Sequence, residues 1–373
     1  MKKIKSFMLL AVAAMVAFAF TACSDDDTKV EERYNSEFAL VDNQVAQAKK
    51  NDKAILLVAF GSTWDNAFKA FDATVDAYKA AFPGYDVYLS FSSDICINRA
   101  HAGENTNEKG EIVKRDYYSP NYWLHAIGKA QYKEITVQSL QVIPGEEFAA
   151  VVACVKKFAN NGYMFDARLD DDYLSKVKIS LGLPLLNTCE GKGNDVETVA
   201  KELDKVAGAQ AAKGVVAFMG HGNPDSYDTF KANIRYNQLE AELQKLNKNY
   251  FVGCVDQPEN FKPFVYDRMK AAGLTSGNMY LYPLMSIAGD HAHNDMAGDD
   301  DAWENGKYDL NDEGEIEDTS WKMFFTNMGF NVPDENCTLK GLLEFPGIRQ
   351  VWINHTKNAE LLEDAYHSMY PEE

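Results

Sequence analysis

Two segments of the chain repeat one pattern, and each follows an apolar run that is typical of a buried strand. Residues 139–147 read SLQVIPGEE and residues 283–291 read PLMSIAGDH, with Leu, Ile, Gly and an acidic residue at the same offsets. A second pair, VAFGS at 58–62 and AFMGH at 217–221, accompanies the first. Because such a repeat indicates two related structural units, it restricts the architecture more than any other feature. The later copy of each pair adds a histidine, which places candidate metal ligands in one half.

Strand-like and helix-like segments alternate along most of the chain. Strands are predicted at 53–60, 85–91, 134–140, 177–183, 214–219, 250–255 and 278–284. Alternation with helical stretches indicates parallel sheets covered by helices on both faces. The prediction is an α/β protein with two similar doubly wound parallel-sheet domains around a central cleft. The halves are set at residues 48–175 and 176–373, and the second would carry the metal site.

The first residues have the form of a secretory signal peptide, predicted over 1–22. Three lysines precede an apolar stretch at 7–20, and small residues come directly before Cys23. Lipidation of Cys23 after cleavage is therefore predicted, with a plain secretory signal as the alternative. Residues 23–47 start with a polar, acidic run and are expected to form a lipid-anchored, solvated tether. The predicted location is periplasmic or at the cell surface, attached to a bacterial membrane.

The charge of the chain restricts its partners. The formal net charge is −19, so nucleic acid is excluded as a partner and cations are favoured. No later segment has about 20 continuous apolar residues, so no transmembrane helix is expected. The cysteines after Cys23 are scattered without a CxxC pair, which argues against a disulfide framework. The sequence leaves open whether the chain forms one disulfide and whether it forms a homo-oligomer.

Candidate metal ligands follow three predicted strands of the second half. His221 lies between two glycines, Asp256 follows the next strand, and His291 follows the strand at 278–284. Residues just past the carboxyl ends of neighbouring strands line one crevice in a doubly wound sheet. Two imidazoles and one carboxylate with a vacant position suit a labile divalent ion of the first row. Each residue also has a structural interpretation, as a turn residue, a helix cap or an exposed loop residue.

Other patterns are weaker. Gly61 and Ser62 follow the first strand like a phosphate-binding turn, but no Walker lysine or GxGxxG motif accompanies them. A GxSxG nucleophile elbow is absent from the sequence. Polar insertions at 101–122 and 298–320 are expected to form hairpins or flaps. Four further histidines are expected at the surface: His101, His125, His355 and His367.

The motifs at 56–62, 137–147, 218–222 and 285–299 resemble those of the anaerobic cobalt chelatases, the CbiK family. The similarity extends from about residue 52 to 358 outside the two insertions, and MGHG and AGDHAHNDMAGD are its most specific parts. The resemblance implies two similar α/β domains around a tetrapyrrole cleft. It also implies insertion of cobalt into sirohydrochlorin during cobalamin synthesis.

The resemblance also assigns roles to individual residues. It implies that His221, Asp256 and His291 hold the metal and that the two imidazoles are catalytic. Asp256 stands where the family has a glutamate, which is one methylene longer. Gln141 stands where the family usually has a histidine, and an amide can hydrogen-bond but cannot accept a proton near neutral pH. Contacts with the tetrapyrrole are assigned to Gly61, Ser62 and Gln141.

Two functions follow from these features. The first is a chelatase that inserts a divalent metal into a tetrapyrrole, with Co²⁺ preferred and Fe²⁺, Ni²⁺ or Zn²⁺ compatible with the same ligands. The second is an exported lipoprotein that binds haem or a related tetrapyrrole for iron or porphyrin uptake, without turnover. The exported location favours the second, and an outer-membrane uptake receptor would then be its partner.

Overall fold

The computed structural model describes residues 24–103, 117–187, 195–228, 230–303, 306–308, 316 and 319–362. The predicted signal peptide 1–22, the lipidation site Cys23 and parts of both polar insertions lie outside these residues. None of the described helices is long and apolar enough to cross a bilayer.

The described chain alternates between strands and helices. The strands are β1 Lys53–Ala59, β2 Asp86–Phe91, β3 Glu134–Ser139, β4 Lys178–Gly182, β5 Val215–Gly220, β6 Tyr250–Cys254, β7 Gly277–Pro283, β8 Phe330–Asn331 and β9 Glu360–Leu361. The α-helices are α1 Ser24–Ala48, α2 Asp65–Ala81, α3 Asp94–Ala102, α4 Pro120–Lys129, α5 Glu146–Ala159, α6 Asp171–Leu174, α7 Asp195–Ala211, α8 Ile234–Leu246, α9 Lys262–Ala271, α10 Trp321–Asn327 and α11 Pro346–Lys357.

The strands form two sheets with the same internal order. The first sheet runs β2-β1-β3-β4-β9 and the second runs β6-β5-β7-β8. All neighbouring pairs are parallel except β4 with β9. In both sheets the earliest strand is central, the next lies on one side and the third on the other. The sequence repeat therefore corresponds to a structural repeat, and the predicted α/β fold with two related parallel sheets is confirmed.

Helices cover both faces of each sheet. One core lies on the first sheet beneath α1, α4 and α5, and a second fills the space between the sheets with residues of α2, α7, α8 and α11. A third core lies on the far face of the second sheet, beneath α9 and α10. β1 contributes alternate residues to the first two cores, which explains why its sequence is apolar throughout.

Helix α1 corrects the predicted tether at 23–47. Its later turns bury Phe38, Val41 and Val45, whose spacing of three and four residues places them on one helix face. These side chains pack in the core that α4 also lines. The acidic start of this segment suggested a solvated chain, but the apolar face that follows is sufficient to dock a helix.

The predicted boundary between residues 175 and 176 does not match the sheets. β4 was assigned to the second half, but it pairs with β3 in the first sheet, with Val137 opposite Leu181. The chain then returns at its end, because β9 pairs with β4 and α11 packs into the core between the sheets. The second sheet is therefore an insertion between β4 and α11.

Two histidines that were expected at the surface are buried. His125 is 2% exposed, and its Nδ1 lies 2.8 Å from Oδ1 of Asp42. His355 is 7% exposed, and its Nδ1 lies 2.9 Å from the carbonyl oxygen of Leu183. Both lie on the buried faces of helices, His125 on α4 and His355 on α11.

We expect Asp42→Asn to destabilise the fold in a pH-dependent way. Burial raises the pKa of Asp42, but hydrogen bonds from His125 and Lys129 outweigh it, so the pKa falls below 3.8. A lowered pKa stabilises the fold above pH 3.8, and this stabilisation is lost as the pH falls through the folded-state value. The variant should lose about 1.5–3 kcal/mol at pH 7, as is typical of hydrogen bonds to charged groups.

Urea unfolding at pH 7 and pH 3 would measure this effect. The difference between wild type and variant should shrink at the lower pH. Asp52→Asn is the matched control, because Asp52 pairs with Lys133 on the exposed surface and its loss should leave the midpoint unchanged. An Asp42→Asn difference that is equal at both pH values would contradict the assignment.

Candidate metal centre

His221 is the first residue after β5, the central strand of the second sheet. The glycines on either side of it are required by close packing. A Cβ at Gly220 would lie 2.5 Å from Cε1 of Tyr236, and one at Gly222 would lie 2.8 Å from the backbone nitrogen of Gln257. Gly222 also has a φ of 83°, which favours glycine. The turn therefore fixes the imidazole at the carboxyl end of β5.

The chain leaves β5 toward β6 on one side of the sheet and leaves β7 toward β8 on the other side. The loops after β5 and β7 therefore diverge and border a crevice between these two strands. Ligands of doubly wound sheets bind at such a point. His221 lies in the first of these loops and His291 follows the second, within one π-helical turn formed by His291–Met296. Turns of this kind are frequent at functional sites.

The structure brings the three predicted ligands together. Nδ1 of His221 lies 3.4 Å from Oδ2 of Asp256, and the rings of His221 and His291 are 4.9 Å apart between centroids. Each side chain is between 43% and 44% exposed, so all three can be reached from solvent. Across the described ranges, no three His, Cys, Asp or Glu side chains are already arranged as a metal cage. Their role as ligands therefore stays a prediction.

Each imidazole is oriented through its Nδ1 atom. Nδ1 of His221 lies 2.9 Å from the carbonyl oxygen of Gly222, and Nδ1 of His291 lies 2.5 Å from Oδ2 of Asp295. Burial lowers the pKa of His291, but the hydrogen bond to Asp295 and the charges of Asp295, Asp256 and Asp290 raise it more, so the net shift is upward. A metal ion at His291 therefore competes with a proton for the imidazole.

The predicted tetrapyrrole contacts on the first sheet are buried. Gly61 has a φ of 115°, and a Cβ there would lie 2.9 Å from Cβ of Cys96. Ser62 is 4% exposed, and its hydroxyl accepts the backbone N–H of Trp64 at 3.0 Å. Gln141 is 7% exposed and hydrogen-bonds to Ser139. These residues shape the edge of the first sheet, and their contact with a ligand stays a prediction.

The carboxyl edges of the two sheets face and touch each other. The Trp64 ring stacks on His293 at 3.6 Å with parallel planes, and Trp64 Nε1 donates to Oδ1 of Asp290 at 2.5 Å. The Ser286 hydroxyl donates to the carbonyl oxygen of Leu140 at 2.6 Å. Trp64 was not among the predicted site residues. Its position two residues after the VAFGS segment at 58–62 was the sequence signal that could have identified it.

A second unpredicted group lies at the start of α5. The Ser92 hydroxyl, which follows β2, donates to Oε2 of Glu147 at 3.3 Å, and Nε2 of Gln141 lies 3.5 Å from the same hydroxyl. Asn223, two residues after His221, accepts the backbone N–H of Glu146 at 3.0 Å. This carboxylate therefore belongs to the first sheet but lies close to the loop that carries the metal-site imidazole.

Two topologically related α/β halves face each other across their carboxyl edges. Two imidazoles and a carboxylate lie together on one of these edges, which is compatible with a metal-handling protein of the chelatase type. The sequence model of the family described as "Cobalt chelatase (CbiK)" matches residues 53–315. The chain belongs to this family, and the protein is a metal chelatase.

Similar proteins extend over most of the chain. The sirohydrochlorin cobaltochelatase CbiKC of Nitratidesulfovibrio vulgaris is 26% identical over 318 residues, covering 84% of this chain and 92% of the relative. The sirohydrochlorin cobaltochelatase of Salmonella typhimurium is 28% identical over 309 residues, covering 82% and 96%. Among solved structures, SirB from Bacillus subtilis with Fe³⁺ aligns with a TM-score of 0.49 and 13% identity, over 82% of this chain and 94% of that chain.

Proposed function

We propose that the protein inserts Co²⁺ into sirohydrochlorin, as the names of its relatives indicate for those proteins. The observation that carries the proposal is the juxtaposition of His221, Asp256 and His291 where the loops after β5 and β7 diverge. Two imidazoles and a carboxylate bind Co²⁺, Fe²⁺, Ni²⁺ and Zn²⁺, so the ligands restrict the metal only to this group. A link to cobalamin biosynthesis is part of the same proposal.

In the proposed mechanism the metal is a substrate that waits on the second half. Because Nδ1 of each imidazole is engaged by protein oxygens, Nε2 of His221 and His291 would bind the ion. Asp256 would add one oxygen and leave positions for water and pyrrole nitrogens. The tetrapyrrole would enter between the facing edges. The contact between Trp64 and His293 must then separate, because their stacked rings occupy the space between the edges.

The second candidate is capture of haem or a related tetrapyrrole without turnover. The state of Gln141 favours it: the amide is buried and held by its neighbours, so it offers neither a metal ligand nor a proton acceptor. An exported location, with Cys23 lipidated and a bacterial outer-membrane receptor as partner, is proposed together with this function.

A direct assay separates the two functions. The purified chain is mixed with Co²⁺ and sirohydrochlorin, and the visible spectrum is followed against the same mixture without protein. Chelatase activity predicts a faster spectral change with many turnovers per chain. Haem capture predicts a tight 1:1 spectral change on titration with haem and no acceleration of metal insertion. Absence of both would remove both proposals.

A further inference from the structure

A cavity of about 330 Å³ lies beside β4, between the first turn of α7 and the last turn of α11. Its walls carry the imidazole of His355, the carboxylates of Asp195 and Glu360, and the ammonium group of Lys357. None of the described residues that line the cavity belongs to the candidate metal centre. The cavity is therefore a separate site, and its charged groups need their own explanation.

His355 forms the buried wall of this cavity. Its Nδ1 lies 2.9 Å from the carbonyl oxygen of Leu183. A carbonyl oxygen only accepts hydrogen bonds, so Nδ1 carries a proton, and Nε2 of the neutral ring presents its lone pair. Histidines that bind metals are commonly held in this way, with the second ring nitrogen donating to a carbonyl or carboxylate. The ring of His355 is thus fixed in the orientation that leaves Nε2 as a ligand atom.

The nearest charged group to Nε2 is a carboxylate. Nε2 of His355 lies 3.2 Å from Oδ2 of Asp195, but the atoms are not aligned as a hydrogen bond, and Nε2 has no hydrogen-bond partner in the described part of the chain. His125 differs, because its Nδ1 lies 2.8 Å from Asp42, within the range of about 2.7–2.9 Å for charge-assisted hydrogen bonds. Two atoms bound to one tetrahedral Zn²⁺ at about 2.0–2.1 Å lie roughly 3.3–3.4 Å apart. His355 and Asp195 are therefore spaced like two ligands of one ion.

An ion can reach this pair from solvent. The side chain of Asp195 is 20% exposed, and the wall residues Thr198 and Asn354 are exposed. The cavity is large compared with the roughly 30 Å³ that one water occupies in the liquid. It can therefore hold the water molecules that complete the coordination of an ion with two protein ligands. A bound ion would also supply the partner that the buried Nε2 lacks, and a buried polar atom without a partner is costly.

We propose that His355 and Asp195 bind a second divalent ion, Zn²⁺ or Co²⁺, with water in the remaining positions. An imidazole beside a carboxylate suits these ions, whereas Mg²⁺ and Ca²⁺ take oxygen ligands. Asp195 begins α7, where the chain has left the first sheet, and His355 lies on α11, where the chain returns. The ion would tie together the two connections between the sheets. This inference does not depend on the proposed chelatase function.

The His221→Ala His291→Ala double variant separates this site from the candidate metal centre. Isothermal titration of the full wild-type chain with Co²⁺ should show two binding steps, and the step with two protein ligands should be the weaker one. The double variant should keep only the weaker step, and Zn²⁺ should displace the Co²⁺. Mg²⁺ alone should give no binding, because the imidazole does not suit it.

Two substitutions in the double-variant background test the ligands. Asp195→Asn should weaken the remaining step by roughly 100-fold, since even an outer-sphere partner is typically worth about 10- to 100-fold in metal affinity. His355→Asn should remove the step, because it deletes Nε2 but keeps an N–H group beside Leu183. Glu197→Gln is the matched control, because Glu197 lies in the same first turn of α7 and pairs with Lys201 at the surface. The control should leave the step unchanged.

Thermal unfolding provides a second measurement. Zn²⁺ should raise the unfolding midpoint of the double variant by a few degrees, because an ion that binds the folded chain stabilises it by mass action. The same addition should leave the midpoint unchanged once Asp195→Asn is present. In the otherwise wild-type chain, Asp195→Asn should not alter the rate of Co²⁺ insertion, because neither proposed ligand of the second ion lies at the candidate metal centre.

The outcomes distinguish this inference from the proposed function. A folded double variant that binds neither Co²⁺ nor Zn²⁺ would overturn the second site and leave the chelatase proposal standing. A weak step that survives Asp195→Asn unchanged would also overturn it, even if His355→Asn failed to fold. A wild type that keeps the weak step but does not accelerate metal insertion would support the second site and remove the chelatase proposal alone.

Discussion

Replacing His221 and His291 together by alanine is expected to reduce Co²⁺ insertion to the spontaneous rate. Both imidazoles follow strands β5 and β7 of the second sheet, where the two loops diverge. The centroids of their rings lie 4.9 Å apart. Removal leaves Asp256 as the sole proposed ligand, and one exposed carboxylate holds a divalent ion weakly. The Co²⁺ affinity should fall by more than the 10- to 100-fold that loss of an outer-sphere partner typically costs.

Isothermal titration with Co²⁺ and the spectral assay measure the two effects separately. His101→Ala is the matched control, because it removes an imidazole from α3 on the first half that contacts Tyr118 rather than the candidate site. That variant should retain the wild-type rate and affinity. Full activity in the double variant would show that the metal is held elsewhere, and the proposed ligand set would be wrong.

Replacing Phe38 by alanine is expected to destabilise the protein by about 3–5 kcal/mol, the range for loss of a buried aromatic side chain. Phe38 is 3% exposed, and its ring lies 4.6 Å from that of Tyr122 and 4.5 Å from that of His125. This loss follows only if α1 is part of the folded core. A solvated tether would tolerate the substitution without effect.

Leu40→Ala provides the control on the same helix. Leu40 is 54% exposed, so its truncation should change the free energy of unfolding by less than about 0.5 kcal/mol. Both variants are compared by urea unfolding monitored by circular dichroism. Equal stabilities for the two variants would mean that α1 does not pack on α4 in solution.

The regular elements around the sheets could be predicted well from the sequence. The strands predicted at 53–60 and 85–91 match β1 and β2 within one residue, because short apolar runs bounded by turn residues are strong local signals. The repeat also predicted two related units, and the two sheets share one strand order. Local sequence patterns determine these elements and were therefore sufficient to predict them.

The assignment of β4 was wrong for a different reason. Its sequence is compatible with either sheet, and only its pairing with β3 decides between them. The buried state of His125 likewise depends on Asp42, which is 83 residues away in the chain. Pairings of this kind are tertiary, so local composition contains little information about them.

The candidate site also has a part that the sequence predicted and a part that it did not. Its position past the strand ends followed from the topology of parallel sheets, and His221, Asp256 and His291 are indeed neighbours. Two groups on the first half, Trp64 and Glu147, were not among the predicted site residues. Trp64 meets Asp290 across 226 residues of sequence, and Glu147 gains its surroundings only when β2 and α5 come together.

The packing of α11 and β9 on the first sheet, after the second sheet in sequence, has a consequence for biosynthesis. Trp352 on α11 is fully buried, and its Nε1 donates to the carbonyl oxygen of Gln141 at 3.2 Å. The loop after β3 therefore cannot reach its final packing until α11 has been synthesised. The first sheet and its helices therefore stay incompletely packed while the second sheet and its helices are synthesised.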